Sequence, residues 1–216
     1  MNSKKFVMSF SGGKDSTLAL YKMIKEGHKP VALLTTIKED KDESWTHSIK
    51  YKYLKIIENS LNIPIIISKC GISDYETNFE KNLIKAKQMG ATHCVFGDID
   101  IDLHRNWNET RCENAGLEAI LPLWQRNREE VLYEFLDSGF TTVITKVNLN
   151  NLGVEFLGKV LDKPLAKEIE KQGSDICGEN GEYHTFVVDG PLFSSKIEFE
   201  NTYIEQKDGY GHLVIE

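Results

Sequence analysis

Apolar residues recur along this chain in two rhythms, and the change between them divides it. In the first half, short and nearly unbroken apolar runs alternate with stretches whose apolar positions return every three or four residues. Phe6 to Phe10 reads as a strand, Lys14 to Glu26 as a helix closed by Gly27, and Pro30 to Ile37 as a buried strand. A second helix is predicted from His47 to Leu61, on Ile49, Tyr53, Ile56, Ile57 and Leu61. Ile63 to Ser68 follows as a third strand, Tyr75 to Met89 as a third helix ended by Gly90, and Thr92 to Phe96 as a fourth strand. Strands apolar on both sides, separated by helices of roughly ten to fifteen residues, specify a parallel sheet covered on both faces.

Beyond Phe96 the rhythm loosens. Leu117 to Leu123 is a short apolar segment containing Pro122, Asn127 to Leu136 a helix capped by Asn127, and Thr141 to Val147 a strand. Gly158 and Pro164 interrupt Glu155 to Gln172, which predicts two short helices. After Gly173 the chain turns β-rich, with strands expected at Thr185 to Val188, Lys196 to Glu200, Thr202 to Gln206 and His212 to Ile215. The expectation is an α/β domain over residues 1–117 and a smaller α+β domain over residues 118–216, with a soft boundary near Leu117. The charged stretch from Lys38 to Ser44 reads as a solvated, mobile loop, with a lid over a bound nucleotide as the alternative.

Composition narrows the class. The chain has 216 residues, of which 40% are hydrophobic and 27% charged, the balance of an ordinary globular protein. A net charge of -7 argues against charge-driven binding of nucleic acid, leaving room only for a local basic groove. The cysteines Cys70, Cys94, Cys112 and Cys177 are scattered without a C-x-x-C pair, so neither a zinc knuckle nor a redox pair is signalled. Cys112 and Cys177 read as ordinary buried thiols. No apolar run approaches the roughly 20 residues of a membrane span, and the N-terminus enters a strand without a signal-peptide pattern. A cytoplasmic protein with reduced thiols and no membrane segment is expected. The pattern leaves the oligomeric state open.

The chemistry concentrates at the carboxyl ends of the predicted strands, where open α/β sheets bind ligands. Directly after the first strand, and just past Ser9, stands Ser11-Gly12-Gly13-Lys14-Asp15-Ser16. A glycine pair between strand and helix lets the backbone curl round an anion, and the helix start adds unpaired N–H groups and its positive dipole end. Lys14 and the hydroxyls of Ser11 and Ser16 suit phosphate. Asp15 is repulsive there unless it works through a metal ion or caps the helix. Thr35 and Thr36 end the second strand, and Gly97 and Asp98 end the fourth. The spacing matches neither the Walker loop nor the dinucleotide fingerprint.

Two further clusters carry polar side chains in unusual density. Gly97 to Cys112 reads GDIDIDLHRNWNETRC, either a solvated loop entering an amphipathic helix with Trp107 in its core, or acidic and basic groups around a polar substrate. His104 has no second histidine at a ligand spacing, which favours a hydrogen-bonding role over a metal. Asp175 to Phe193 reads DICGENGEYHTFVVDGPLF. Asn180-Gly181 signals a tight turn opening a hairpin, but a turn alone leaves Glu179, Glu182 and His184 unexplained, and a substrate-site role is expected for some of them.

The loop SGGKDS resembles the pyrophosphate loop (PP-loop) of N-type ATP pyrophosphatases. With Gly97-Asp98-Ile99, Arg105, Glu109 and Cys112, and with Gly178-Glu179-Asn180-Gly181-Glu182-Tyr183, Thr185, Val187 and Asp189-Gly190-Pro191-Leu192-Phe193, the chain resembles the diphthine–ammonia ligase family of PP-loop ATPases. That family's segments have the forms GDI…R…E…C and GE-x-GE-[YF]-x-T-x-V-x-DGP-x-F, and the likeness runs from residue 6 to about 193. The resemblance implies an α/β, HUP-type parallel sheet with helices on both faces, followed by a smaller α+β domain that faces the substrate. It implies ATP-dependent amidation: a carboxylate of diphthine, on the modified histidine of elongation factor 2, displaces pyrophosphate from ATP, and ammonia attacks the acyl adenylate. ATP and Mg²⁺ are the implied cofactors, and Asp15 is the implied metal contact. The implied ATP contacts are Ser9, Ser11, Gly12, Gly13, Lys14, Asp15, Ser16, Thr35, Thr36 and Gly97. Lys14, Asp15, Asp98, Glu109 and Glu182 are the candidate catalytic residues. His104, Arg105, Glu109, Glu179, Asn180, Glu182 and His184 are the candidate substrate contacts.

The sequence departs from the pattern of archaeal and eukaryotic ligases at Asn180 and His184, where GENGEYHTF stands in place of GEGGEYETL. That form is similar to the bacterial branch of the family, where diphthamide is not expected and a role such as cobalamin salvage is the alternative. The resemblance therefore carries the ATP chemistry further than the acceptor. Two other readings compete: PP-loop modification of tRNA, which wants a cysteine pair and a basic surface, and a non-catalytic adenine-nucleotide sensor, which would not need the two polar clusters.

Overall fold

The computed structural model describes residues 3–45, 47–199 and 201–216. The chain divides into two compact units, one of Met1–Ser11 with Asp15–Gln125, the other of Gly12–Lys14 with Arg126–Glu216.

The first unit is built on a parallel sheet of five strands: β1 (Lys5–Ser9), β2 (Lys29–Lys38), β3 (Ile65–Cys70), β4 (His93–Val95) and β5 (Glu118–Ile120), in the order β3-β2-β1-β4-β5. The connecting helices are α1 (Lys14–Lys25), α2 (Tyr51–Leu61), α3 (Tyr75–Gln88) and α4 (Asp102–Ala115). Successive strand residues point to opposite faces, and here both faces are dry. Val7, Ala32, Leu34, Ile66 and Cys94 pack into one cluster with Phe79, Leu83 and Ala86 of α3 and Cys112 and Ala115 of α4. Phe6, Met8 and Leu33 are fully buried on the other side, where right-handed crossovers carry α1 and α2. The unbroken apolar runs are the direct consequence of this double coverage. Chain connections leave β1 and β4 in opposite directions, so the topological switch point lies between these neighbours, beside the glycine loop and Gly97.

One expectation for this unit is corrected. Helix α2 starts at Tyr51 instead of His47. Ile49 N–H donates to the Ser44 hydroxyl at 3.0 Å, Ser44 N–H to the Ile49 carbonyl at 2.9 Å, and Ser48 has φ 53°, so Ser44, Ser48 and Ile49 are held off the helical path. The charged stretch is solvated at its tip but tied at its base. Lys38 N–H donates to the Glu43 carbonyl at 3.0 Å, the Lys38 ammonium meets the Glu43 carboxylate at 2.8 Å, and Ser44 is buried.

The second unit holds α5 (Arg128–Asp137), β6 (Thr141–Asn148), a 3₁₀ turn at Val154–Phe156, α6 (Lys163–Lys171), β7 (Tyr183–Asp189), β8 (Thr202–Lys207) and β9 (Tyr210–Ile215). The strands form an antiparallel sheet ordered β7-β6-β9-β8. Asn127 caps α5 by accepting from Glu130 N–H at 3.1 Å. Pro164 opens α6, where its missing N–H costs nothing, and Asp162 caps that helix by accepting from Leu165 N–H at 2.8 Å. The strand expected from Lys196 to Glu200 is absent over residues 196–199, and Glu200 lies outside the described residues. Ile197 N–H reaches the Val188 carbonyl at 2.8 Å, while the Ile197 side chain is buried and the Phe199 ring stacks on Phe186. Those apolar residues serve the core without a ladder.

Candidate functional site

The glycine loop leaves β1 at a point fixed by the neighbouring strand. Phe10 N–H donates to the Leu34 carbonyl at 2.8 Å, and the Thr35 hydroxyl donates to the Phe10 carbonyl at 2.8 Å. Gly12 has φ 80°, a left-handed conformation that turns the chain back toward α1. The hydroxyls of Ser11 and Ser16 lie 3.1 Å apart across the turn. Gly97 comes up against the first turn of α1, where an added Cβ would stand 2.8 Å from Asp15 C and Ser16 N. Only glycine lets the end of β4 approach that closely, which gives Gly97 a steric reason at the switch point.

Beside the loop, a cavity of about 110 Å³ is lined by Ser9, Phe10, Ser11, Leu34, Thr35, Thr36, Ser44, Trp45, His47 and Tyr75. Four residues singled out from sequence, Ser9, Ser11, Thr35 and Thr36, come together here. The Thr36 hydroxyl and the Tyr75 phenol are 3.3 Å apart, and Trp45 meets Tyr75 edge to face at 5.6 Å between ring centroids. Burial pushes the Tyr75 phenol above its ordinary range, so it stays protonated. Ser44, Trp45, His47 and Tyr75 were not anticipated. Their only sequence signal is position: Ser44 ends the charged run after β2, Trp45 and His47 follow it, and Tyr75 opens α3.

After β4, Asp98 is a hub. One carboxylate oxygen lies 3.1 Å from His104 Nδ1 and the other accepts from Asn108 Nδ2 at 2.8 Å. Arg105 Nε donates to Glu109 Oε1 at 2.7 Å, and the Arg105 guanidinium lies 5.3 Å from the Trp124 ring centroid. Residues four apart on α4 thus pair along one helical flank. Trp107 is half-buried against Phe79, with its indole N–H on Glu76 at 3.0 Å. Asp100 and Asp102 are exposed. Among the described residues, no three His, Cys, Asp or Glu side chains gather as a metal site.

In the second unit, the Asp175–Glu182 loop is organised by two carboxylates. Glu182 is 5% exposed and accepts from Asp175 N–H at 3.3 Å, Asn180 N–H at 3.0 Å and Asn180 Nδ2 at 3.1 Å. Asp175 accepts from the N–H groups of Cys177 and Glu179, both at 3.0 Å, and pairs with Arg128 at 2.7 Å. The loop closes in a turn, Gly181 N–H donating to the Gly178 carbonyl at 3.2 Å, with Glu179 and Asn180 at its corner. This turn opens β7 but makes no hairpin, because β7 pairs with β6 and the preceding element is α6. Glu179 and His184 are half-buried and Asn180 is exposed. Arg128 and Asp175 were missed as a pair, since 47 residues separate them and nothing in the sequence marks Arg128. Cys112 and Cys177 are buried.

The same unit includes Gly12–Lys14. Val187 N–H donates to the Gly12 carbonyl at 2.9 Å, and Lys14 N–H donates to the Thr185 hydroxyl at 3.1 Å. The Lys14 ammonium lies 5.8 Å from the Tyr183 ring centroid, and Lys14 is only 4% exposed. A glycine loop with a buried lysine and a helix start can bind a polyanion, and the polar clusters can orient a second, non-apolar reactant.

Comparison with known proteins gives the chain its relatives. The family model of the diphthamide synthase N-terminal domain matches residues 4–119, and that of the diphthamide synthase C-terminal domain matches residues 127–216. The human protein named diphthine–ammonia ligase is 31% identical over 213 residues, which cover 87% of this chain and 79% of that protein. The diphthine–ammonia ligase of Schizosaccharomyces pombe is 29% identical over 210 residues, covering 87% of this chain and 34% of that longer protein. A solved structure from Methanocaldococcus jannaschii, described as a subunit of tRNA methyltransferase, aligns with a TM-score of 0.48 at 15% identity, covering 89% of this chain and all of that one.

Proposed function

The chain belongs to the diphthamide synthase family, and from that premise we propose that it is a ligase of the diphthine–ammonia type, cleaving ATP to AMP and pyrophosphate as it converts a carboxylate to an amide. The observation that carries this reading is that both halves of the family lie in one chain, each with its polar motif.

A carboxylate oxygen of the acceptor attacks the α-phosphorus of ATP, and the bond from that phosphorus to the pyrophosphate oxygen breaks. Ammonia then attacks the acyl carbon, AMP departs with the bonding electrons, and nitrogen loses a proton. Adenylation turns a poor leaving group into a good one, so the protein's work is placement and charge stabilisation. In this proposal residues 1–117 are the ATP-binding domain and residues 118–216 face the acceptor. Ser11, Gly12, Gly13, Lys14 and Ser16 receive the pyrophosphate end, and Gly97 keeps the first turn of α1 within reach. Ser9, Thr35 and Thr36 meet the rest of the nucleotide in the aromatic-walled cavity, which suits a planar base. Asp98, His104, Arg105, Glu109, Glu179, Asn180 and His184 serve the acceptor and ammonia, and Glu182 shapes the loop that carries two of them, Glu179 and Asn180. The acceptor is a protein carboxylate, diphthine on elongation factor 2, and the compartment is the cytoplasm. The described residues contain no helix long and apolar enough to cross a membrane.

The donor set bears on Mg²⁺. A protein cage is absent among the described residues, and a single half-buried carboxylate at the start of α1 suits an ion carried mainly by phosphates and water. Asp15 would hold it, and the ion would neutralise charge on the departing pyrophosphate. Asp15→Asn is expected to slow pyrophosphate release by about a hundredfold and to weaken ATP binding far less. Equal losses in stopped assays and nucleotide titrations would make Asp15 a helix cap instead.

The test of the whole reading is a product analysis. With ATP, ammonium and diphthine-bearing elongation factor 2, AMP and pyrophosphate should form in equal amounts, each requiring both co-substrates. Release of ADP and phosphate would overturn it, and binding without turnover across a panel of carboxylate acceptors would leave a nucleotide sensor.

A further inference from the structure

The segment Tyr183–Val187 sits in a motif whose polar residues point to the acceptor, yet its contacts lead elsewhere. A Gly-Gly loop is the loosest backbone a chain can offer, and it serves a phosphate only if something outside it restrains it. Here the restraints sit on both sides of Gly13. The Gly12 carbonyl accepts from Val187 N–H at 2.9 Å, and Lys14 N–H donates to Thr185 Oγ1 at 3.1 Å. Residues two apart on a strand share a face, so Tyr183 and Thr185 present their side chains on the same side of β7. The Lys14 ammonium lies 5.8 Å from the Tyr183 ring, within cation–π range. That ring is itself fixed: its hydroxyl donates to the Ile176 carbonyl at 2.7 Å, and it packs on Gly178, where an added Cβ would come within 2.8 Å. Thr185 is 2% exposed and Lys14 4%, so bulk water is not at hand to replace a lost partner.

We propose that Thr185 is a positioning residue for the pyrophosphate half of the reaction, acting through the Lys14 backbone, while Tyr183 sets the direction of the Lys14 ammonium. The motif that opens at Gly178 thus has two jobs. Its turn, Gly178–Gly181, faces the acceptor, and its strand, Tyr183–Val187, braces the loop that holds the leaving group. The brace rests on the reading that Gly12–Lys14 receives the pyrophosphate of ATP.

The experiment titrates the full-length chain with ATP, inorganic pyrophosphate and AMP, for wild type, Thr185→Val, Thr185→Ser and Lys14→Met, with a thermal melt of each. Valine keeps the shape of threonine and removes the acceptor. Thr185→Val should weaken ATP and pyrophosphate by about tenfold and AMP by less than about twofold, because AMP lacks the two phosphates the loop holds. Thr185→Ser, which keeps the hydroxyl, should stay within about threefold of wild type for all three. A purely structural role would lower the melting temperature and weaken AMP and ATP alike. That result, or unchanged ATP binding in Thr185→Val, overturns the brace. Should valine prevent folding, Thr185→Ala is read by the same criteria. Unaltered ATP binding and turnover in Lys14→Met would instead overturn the phosphate reading beneath it.

Discussion

Replacing Lys14 by methionine is expected to cut the kcat for pyrophosphate release by about a thousandfold, and ATP affinity by much less. Methionine retains most of the aliphatic stem that is buried in this unit, so the melting temperature should move little. What disappears is a positive charge at the end of a nearly buried side chain, held against the Tyr183 ring. In the ground state the β- and γ-phosphates already carry their charge and can be met by the helix start and backbone N–H groups. As the bond to the α-phosphorus breaks, further negative charge collects on the bridging oxygen, and only a fixed cation close to it responds. The loss therefore falls mainly on kcat, the signature of an interaction made in the transition state. Single-turnover measurement of pyrophosphate at saturating ATP checks it. A variant that raises KM with kcat intact would assign Lys14 to uniform binding of ATP.

Much of the first unit was legible because its physics is local. A buried parallel strand writes itself as an unbroken apolar run, and β1, β2 and β3 appear within two residues of their expected ends. A loop between strand and helix also announces itself, since glycine, lysine and serine at the end of such a run have few other uses. What escaped was set by tertiary partners. Nothing in the sequence marks Trp45 or Tyr75, and only the folding of the charged excursion back onto β2 puts them at the cavity. The start of α2 was misplaced because the Ser44–Ile49 hydrogen bonds take residues that a helical period would claim. The strand expected at Lys196–Glu200 had the right composition, but Ile197 and Phe199 reach the core with a single backbone bond to β7, Ile197 N–H to the Val188 carbonyl, and no ladder. In the second unit the turn at Asn180 was readable, whereas the partnership of Arg128 with Asp175 was not, because ion pairs across 47 residues leave no periodicity. The role of Thr185 was hidden for the same reason: alternation on a strand says which side a hydroxyl faces, not which loop it meets.

Glu182→Gln should separate scaffold from chemistry at the acceptor loop. The carboxylate of Glu182 faces three donors, Asp175 N–H, Asn180 N–H and the Asn180 amide, in a buried setting. A glutamine presents one oxygen and one NH₂ to the same three donors. At least one N–H then opposes another N–H, which costs about 1–3 kcal/mol, and alanine, leaving all three without an acceptor, costs about 2–4 kcal/mol. The expected outcome is a melting temperature lower by roughly 3–10 °C for Glu182→Gln, with a larger fall for Glu182→Ala. Amidation should fall in the same order, because the turn that presents Glu179 and Asn180 is no longer held. ATP affinity should change by less than about threefold, since the Gly12 and Lys14 backbone bonds to Val187 and Thr185 are untouched. Melting curves, nucleotide titration and amide formation on each variant decide the matter. If Glu182→Gln melts like wild type but forms no amide, the carboxylate meets the reacting groups itself. If stability and amidation fall together while ATP still binds, Glu182 acts by holding the loop, and the groups that touch the acceptor are those it presents.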